Sequence, residues 1–146
     1  MSGTAAPMSA ASWRLLASAW LVALVATLSA LFIGEVMGQT PCTLCWYQRI
    51  AMFPLAIILG IAALDGDLGG VRFGLPLALV GLAFARLAQL YAGLVPETIQ
   101  PCTREGPSCS DAEMTLLGWL RIPFLSLGAF LAIAGLLALT LPSNRS

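Results

Sequence analysis

The sequence predicts an all-α fold, an integral membrane four-helix bundle with two cysteine-bearing segments on the same extracytoplasmic side. Three observations predict it. Four apolar stretches are each long enough to cross a bilayer, which takes about 20 residues of helix. Charged residues make up only 10% of the chain, far below the roughly 25% of an ordinary soluble domain. That is too little charge to cover a water-facing surface, so lipid is the expected solvent. The cysteines fall in two close pairs, Cys42/Cys45 and Cys102/Cys109, each in a connection between apolar stretches.

The first stretch covers residues 13–33 and carries no charge after Arg14. A secretory signal has an apolar core of only about 7–15 residues and a small-residue cleavage site. This one is longer and runs on into Gly34, Glu35 and Val36, so it reads as a retained helix. The second span covers 45–64, with Gln48 and Arg49 near its start, and the polar run from Asp65 to Gly70 reads as a tight turn. The third covers 73–95 and contains Arg86 and Gln89. An arginine inside a span usually faces a partner or cavity, which would turn Arg86 to the bundle near Gln89, with Glu35 a distant counter-charge; snorkelling towards the outer interface is the equal alternative and stays open. The fourth covers 119–141, after an outer loop at 96–118, and the whole chain, 1–146, reads as one transmembrane domain. Small residues at Ala23, Ala26 and Ala30 on the first helix, and at Gly128 and Gly135 on the fourth, offer sites of close helix approach.

An even number of spans puts both termini on one side and both cysteine pairs on the other. The positive-inside rule does not orient the chain: Arg14, Arg72 and Arg145 flank the terminal side, and Arg49, Arg104 and Arg121 the other. Redox chemistry does, because paired cysteines in exposed loops persist as disulfides in oxidising compartments. The expected location is a cytoplasmic (inner) membrane, multi-pass, with cytoplasmic termini and extracytoplasmic cysteine loops. There is no basic run to hold a nucleic acid, and seven arginines balance seven acids.

Around the first pair the sequence is Thr40-Pro41-Cys42-Thr43-Leu44-Cys45-Trp46-Tyr47-Gln48-Arg49. Proline suits a first helical turn and threonine a cap, so a helix is expected to start near Pro41. Cysteines three apart then share one helix face. The helix N-terminus favours a thiolate, the form that attacks and leaves in disulfide exchange. Arg49, four residues after Cys45, adds a fixed positive charge on that face; an interfacial arginine that snorkels to lipid headgroups stays open as the alternative. Half of a zinc site completed by Cys102 and Cys109 is the metal alternative, but six residues between the second pair fit zinc spacing poorly, and no metal is expected. A purely structural disulfide stays open.

The second pair, in Pro101-Cys102-Thr103-Arg104-Glu105-Gly106-Pro107-Ser108-Cys109, lies in a polar loop whose glycine and proline allow a compact ring. A loop staple without redox role stays open here too. After it, Ser110-Asp111-Ala112-Glu113 has the capping-box pattern, which predicts a helix running through Met114, Leu116 and Leu117 to the membrane, with Trp119 at the interface. The chain has no histidine, so any acid–base step falls to thiols, carboxylates, a cofactor or water.

The run from Pro41 to Arg49 resembles the motif of the disulfide bond formation protein B (DsbB) family. The lead-in Glu35-Val36-Met37, the continuation Ile50-Ala51-Met52-Phe53-Pro54-Leu55, the run Arg121-Ile122-Pro123-Phe124-Leu125-Ser126-Leu127 and the close second pair are similar to its short BdbC-type branch. The resemblance implies a membrane oxidoreductase that reoxidises an extracytoplasmic thioredoxin-fold thiol oxidase (DsbA/BdbD-like) and passes the electrons to a membrane quinone, ubiquinone or menaquinone, in support of disulfide formation in exported bacterial proteins. It implies redox-active disulfides Cys42–Cys45 and Cys102–Cys109. Cys102 would form the mixed disulfide with the partner, Cys109 would be its loop mate, Cys42 would exchange with the loop pair, and Cys45 would face the quinone. Arg49 would sit beside the quinone ring, with Trp46 and Glu35 as further contacts. Members of the short branch often carry a histidine late in the third helix. Here Leu87, Ala88, Gln89, Leu90 and Tyr91 occupy that region, which leaves a histidine-based proton path in doubt.

Two other classes are weighed against this reading. In the vitamin K epoxide reductase family the loop cysteines precede the Cys-x-x-Cys, the reverse of the order here. A non-enzymatic membrane protein with two stabilising disulfides is separated by whether the cysteine pairs change redox state when quinone is added.

Overall fold

The computed structural model describes residues 8–38, 43–94, 115–116 and 120–143. Helix α1 spans Ala10–Leu31 and continues as a wider π-helical turn over Phe32–Val36; α2 spans Thr43–Asp65, α3 Gly69–Leu94 and α4 Ile122–Ser143. Each of the four helices is long and apolar enough to cross a membrane. They close into a ring: α1 packs on α2 and α4, and α3 packs on α2 and α4.

The local signals for these helices are short-range. The Ser9 side chain caps α1, accepting from the Ser12 backbone N–H at 3.2 Å. At the same end of the bundle α2 stops at Gly66, whose φ of 66° places it in the left-handed region that glycine adopts without steric cost. The Asp67 N–H then closes back on the Ala62 carbonyl at 3.1 Å. The Asp67 carboxylate accepts from the Gly69 N–H at 2.9 Å and starts α3. Pro54 and Pro76 lie inside α2 and α3, a position that membrane helices tolerate when neighbouring groups take up the freed carbonyls.

Each helix turns a narrow stripe inward. The buried residues include Leu16, Ala19 and Ala23 on α1; Ala51, Met52, Leu55 and Leu59 on α2; Val71, Ala78, Ala85 and Ala88 on α3; and Phe130, Ile133 and Leu137 on α4. The outer faces carry Val25, Leu28, Ile57, Ile61, Phe73, Leu131 and Leu139, all exposed. An apolar surface of that extent is incompatible with water as the solvent and matches a lipid-facing bundle.

Close approach occurs at different small residues from the pair expected on α4. A Cβ added at Gly128 or Gly135 would meet nothing within 4 Å, whereas one added at Gly81 on α3 would run into the Phe130 ring. The reason is the size of the inward residue on α4. Phe130 is the largest fully buried side chain among the described residues, and it is the facing helix that gives way to it with a glycine.

Two contacts fix the antiparallel register of α1 and α2. The Trp13 indole N–H donates to the Ala63 carbonyl at 3.0 Å at one end, and Arg49 donates to the Ala30 carbonyl at 2.8 Å near the other. The end of α1 and the starts of α2 and α4 therefore share one end of the bundle with the end of α3, opposite the turn at Gly66.

The entry to α4 departs from the helix expected through Leu116. Thr115–Leu116 is an extended strand, β1, paired antiparallel with Leu120–Arg121, β2, in the register Thr115 with Arg121 and Leu116 with Leu120. Three residues including Gly118 join the two strands, a connection length typical of a hairpin. Helix α4 starts only at Ile122, with Pro123 in its first turn, where a missing N–H costs nothing. Residues 110–114 and 117–119, which hold the capping-box pattern and Trp119, lie outside the described residues.

Candidate functional site

The site is assembled at the shared end of the bundle, where α2 begins. Cys45 is the third residue of α2 and half-buried. The next residues divide by face, as helical periodicity requires. Trp46 is 56% exposed, pointing outward, and Gln48 is 6% exposed, pointing inward. Tyr47 stacks on Phe84 of α3 with ring centroids 5.3 Å apart, which holds this turn of α2 against its neighbour. The Gln48 Nε2 and the Gln89 Nε2 are both buried without a hydrogen-bond partner among the described residues.

Arg49 lies one turn below Cys45 and reaches sideways to α1. Its Nη2 donates to the Ala30 carbonyl at 2.8 Å, and its guanidinium carbon stands 6.0 Å from the centre of the Trp46 ring, at the outer limit of a cation–π contact. Glu35 is exposed in the π turn that ends α1, next to Gly34, which lies against the Arg49 guanidinium. The structure thus brings Cys45, Trp46, Arg49 and the segment bearing Glu35 together at one end of the bundle. Cys42, Cys102 and Cys109 lie outside the described residues, as do Thr40 and Pro41.

Such an arrangement combines a thiol in the first turn of a helix, where the backbone favours the thiolate, with a fixed cation one turn away and an aromatic face open to the lipid side. The match to proteins of known family decides what that chemistry serves. The family model described as "Disulfide bond formation protein DsbB" covers residues 10–140. The chain belongs to the DsbB family. It is 58% identical over 127 residues to a probable disulfide formation protein of Metapseudomonas resinovorans, covering 86% of this chain and 88% of that one. It is 45% identical over 128 residues to a probable disulfide formation protein of Deinococcus radiodurans, with coverage of 82% and 84%. To disulfide bond formation protein C of Bacillus subtilis it is 42% identical over 118 residues, with coverage of 80% and 84%, in agreement with the short branch. No solved structure matches the chain at a significant level. As a DsbB-family member with four membrane-crossing helices, the protein is a multi-pass membrane protein of disulfide bond formation, with a disulfide-forming oxidoreductase activity that implies a thiol–disulfide partner.

In this DsbB-family bundle Arg86 does not face the interior. It is exposed, while its neighbours Ala85 and Ala88 are buried, so the inward stripe of α3 passes beside it. Its long apolar stem allows the guanidinium to snorkel toward the interface; α3 ends eight residues on at Leu94, roughly 12 Å along the axis. Arg86→Leu is therefore expected to leave folding and thiol oxidation unchanged within about twofold, as is usual for surface substitutions away from special features. A steady-state oxidation assay checks this, and a large loss would return Arg86 to the site.

The sequence reading missed Gly34, the Ala30 carbonyl and the buried carboxamide of Gln48. Gln48 had a legible signal, a polar residue on the inward face of an apolar helix. The other features depend on how α1 meets α2.

Proposed function

We propose that this DsbB-family protein is a quinone-dependent protein disulfide oxidoreductase of the bacterial cytoplasmic membrane. It reoxidises an extracytoplasmic thioredoxin-fold thiol oxidase and thereby supports disulfide formation in exported proteins. The observation that carries this reading is the cluster of Cys45, Trp46 and Arg49 at the start of α2, with Arg49 anchored across α1 by its 2.8 Å bond to Ala30. A thiol and a cation placed together at the lipid-facing end of a bundle suit a lipid-dissolved electron acceptor.

The residues present fit a quinone, ubiquinone or menaquinone. A guanidinium has five N–H donors, so the bond to Ala30 leaves others to take a carbonyl oxygen. The exposed Trp46 offers a flat apolar surface for a conjugated ring, and Glu35, exposed on the adjoining turn, is a further contact. When bound, a quinone supplies a sink for two electrons and two protons.

The protein's own residues perform the thiol chemistry. A partner thiolate attacks Cys102 of the Cys102–Cys109 disulfide, and Cys109 leaves as a thiolate. Cys109 attacks Cys42 of the Cys42–Cys45 disulfide, and Cys45 leaves. The partner's second thiol resolves the mixed disulfide, so the partner departs oxidised, and Cys102 recaptures Cys109 and frees Cys42. The loop disulfide is restored and the pair at the helix start is reduced by two electrons. Re-formation of the Cys42–Cys45 bond releases those two electrons at Cys45, beside the place where Arg49 would hold an acceptor's oxygen. Each exchange needs an accessible sulfur and a stabilised leaving thiolate, which the loop and the helix start provide in turn. With no histidine in the chain, the protons pass through thiols, carboxylates or water.

Adding quinone to the fully reduced protein is expected to oxidise the Cys42–Cys45 pair, read by thiol alkylation and mass. Cysteines that keep their redox state would favour a purely structural role. The orientation has its own test. A membrane-impermeant thiol reagent on intact, reduced cells is expected to label Cys102 and Cys109, and labelling only after permeabilisation would reverse the topology.

A further inference from the structure

Helix α1 ends at Leu31, one residue past Ala30, where the α-helical bonding pattern changes register, as it does at π turns. The chain then widens into the π turn Phe32–Val36, in which the Met37 N–H returns five residues to the Phe32 carbonyl at 3.2 Å. The Ala30 carbonyl takes the Arg49 Nη2 as its donor. On a helix surface a side chain leans toward the N-terminus and covers the turn before it. The residue whose side chain would lie over the Ala30 carbonyl is the one about a turn later, and that residue is Gly34. A Cβ built there would stand 2.9 Å from Nη1, 3.0 Å from Nη2 and 3.4 Å from Cζ of Arg49. The space a side chain would fill is the space the guanidinium occupies.

We infer that Gly34 and the π turn at the end of α1 form the seat that fixes the Arg49 guanidinium, making Gly34 a positioning residue for the acceptor site. Arg49 carries four rotatable side-chain torsions and would otherwise sample the lipid interface. The seat holds it with one hydrogen bond to a main-chain carbonyl and a glycine-sized gap, at the height of the first turns of α2. This inference rests on the quinone reading of Arg49 and adds to it the element that aims the charge.

All three of the nearest atoms to the added Cβ belong to the far end of Arg49, so Gly34→Ala displaces a flexible guanidinium and not the packed core. The test is a double-mutant cycle of Gly34→Ala, Arg49→Ala and the double variant, on the purified full-length protein in lipid nanodiscs. Three readouts are taken: thermal unfolding, disulfide exchange with a reduced thioredoxin-fold oxidase, and the dissociation constants of short-chain ubiquinone and menaquinone. Gly34→Ala is expected to remain folded and exchange thiols normally, and to bind the better quinone about fivefold to fiftyfold more weakly, part of a charge-assisted contact. The double variant is expected to bind no worse than Arg49→Ala alone, because residues acting through one another are non-additive. Native quinone affinity in Gly34→Ala, with a loss in Arg49→Ala, would overturn the seat and leave the quinone site standing. Losses that multiply in the double variant would likewise overturn it. If Gly34→Ala unfolds, the double variant decides: recovery of folding when the guanidinium is gone supports the seat, and unfolding in both rejects it. Native quinone binding by Arg49→Ala would instead remove the quinone reading on which the inference rests.

Discussion

Cys102→Ala is expected to abolish oxidation of the partner, with a loss on the order of a thousandfold or more, as is usual when a covalent nucleophile or its electrophilic counterpart is removed. The two cysteine pairs are proposed to work in series. The loop pair meets the water-borne partner, and the pair at the start of α2 meets the lipid. Without Cys102 the loop holds only the Cys109 thiol and the partner thiolate has no disulfide to attack there, and the Cys42–Cys45 disulfide at the helix start is on the wrong side of the relay. Cys109→Ala has a different signature. Cys102 keeps its thiol but loses its loop mate; it can attack Cys42 of the Cys42–Cys45 disulfide, releasing Cys45, and a partner thiolate that then attacks Cys102 releases Cys42, so a disulfide between Cys102 and the partner is expected to accumulate with the Cys42–Cys45 bond as its oxidant. A partner variant lacking its second active cysteine makes that species clearest on a non-reducing gel. Full-rate turnover by Cys102→Ala would mean that the partner enters elsewhere, and the relay would have to be redrawn from the helix-start pair outward.

Arg49→Ala is expected to separate the two halves of the reaction. Exchange with the partner should continue, because the loop cysteines do not depend on the guanidinium. Quinone binding or reduction should fall by about tenfold to a hundredfold, the equivalent of one charge-assisted hydrogen bond of roughly 1.5–3 kcal/mol. Arg49→Lys should recover only part of it. A lysine keeps the charge but lacks the planar fork that allows one N–H to hold the Ala30 carbonyl at 2.8 Å while another faces the acceptor. Quinone reduction and quinone affinity are measured separately from partner exchange, by stopped-flow with pre-reduced protein. If Arg49→Ala reduced quinone at the native rate and affinity, the acceptor site would lie away from α2.

What was legible in the sequence follows the range of the physics that sets each feature. The four helices could be read because long apolar runs have one stable form in lipid, with every backbone group bonded inside its own segment. Cys45 and Arg49 could be read as neighbours because four residues make one helical turn. The outward direction of Arg86 was within reach too. Ala78, Ala85 and Ala88 mark the inward stripe of α3, and Arg86 stands about 100° from Ala85 around the helix, a phase that decides between the two directions that an arginine in a span leaves open. The strand pair before α4 was missed because the capping-box pattern at Ser110–Glu113 was extended forward past Gly118, whereas Pro123 marks the helix start that the chain uses. Gly34 was illegible for a different reason. Nothing in its own neighbourhood shows that the guanidinium of Arg49, far along the chain, occupies the place of its missing side chain.

The central claim is that electrons from the partner's thiols reach a quinone through Cys45. The most direct measurement supplies the purified protein with a reduced thioredoxin-fold oxidase and a short-chain quinone, and follows partner oxidation and quinone reduction together. One quinone reduced per partner disulfide formed is expected, with both signals lost in Cys45→Ala. Partner oxidation without quinone reduction, or quinone reduction that persists in Cys45→Ala, would contradict it.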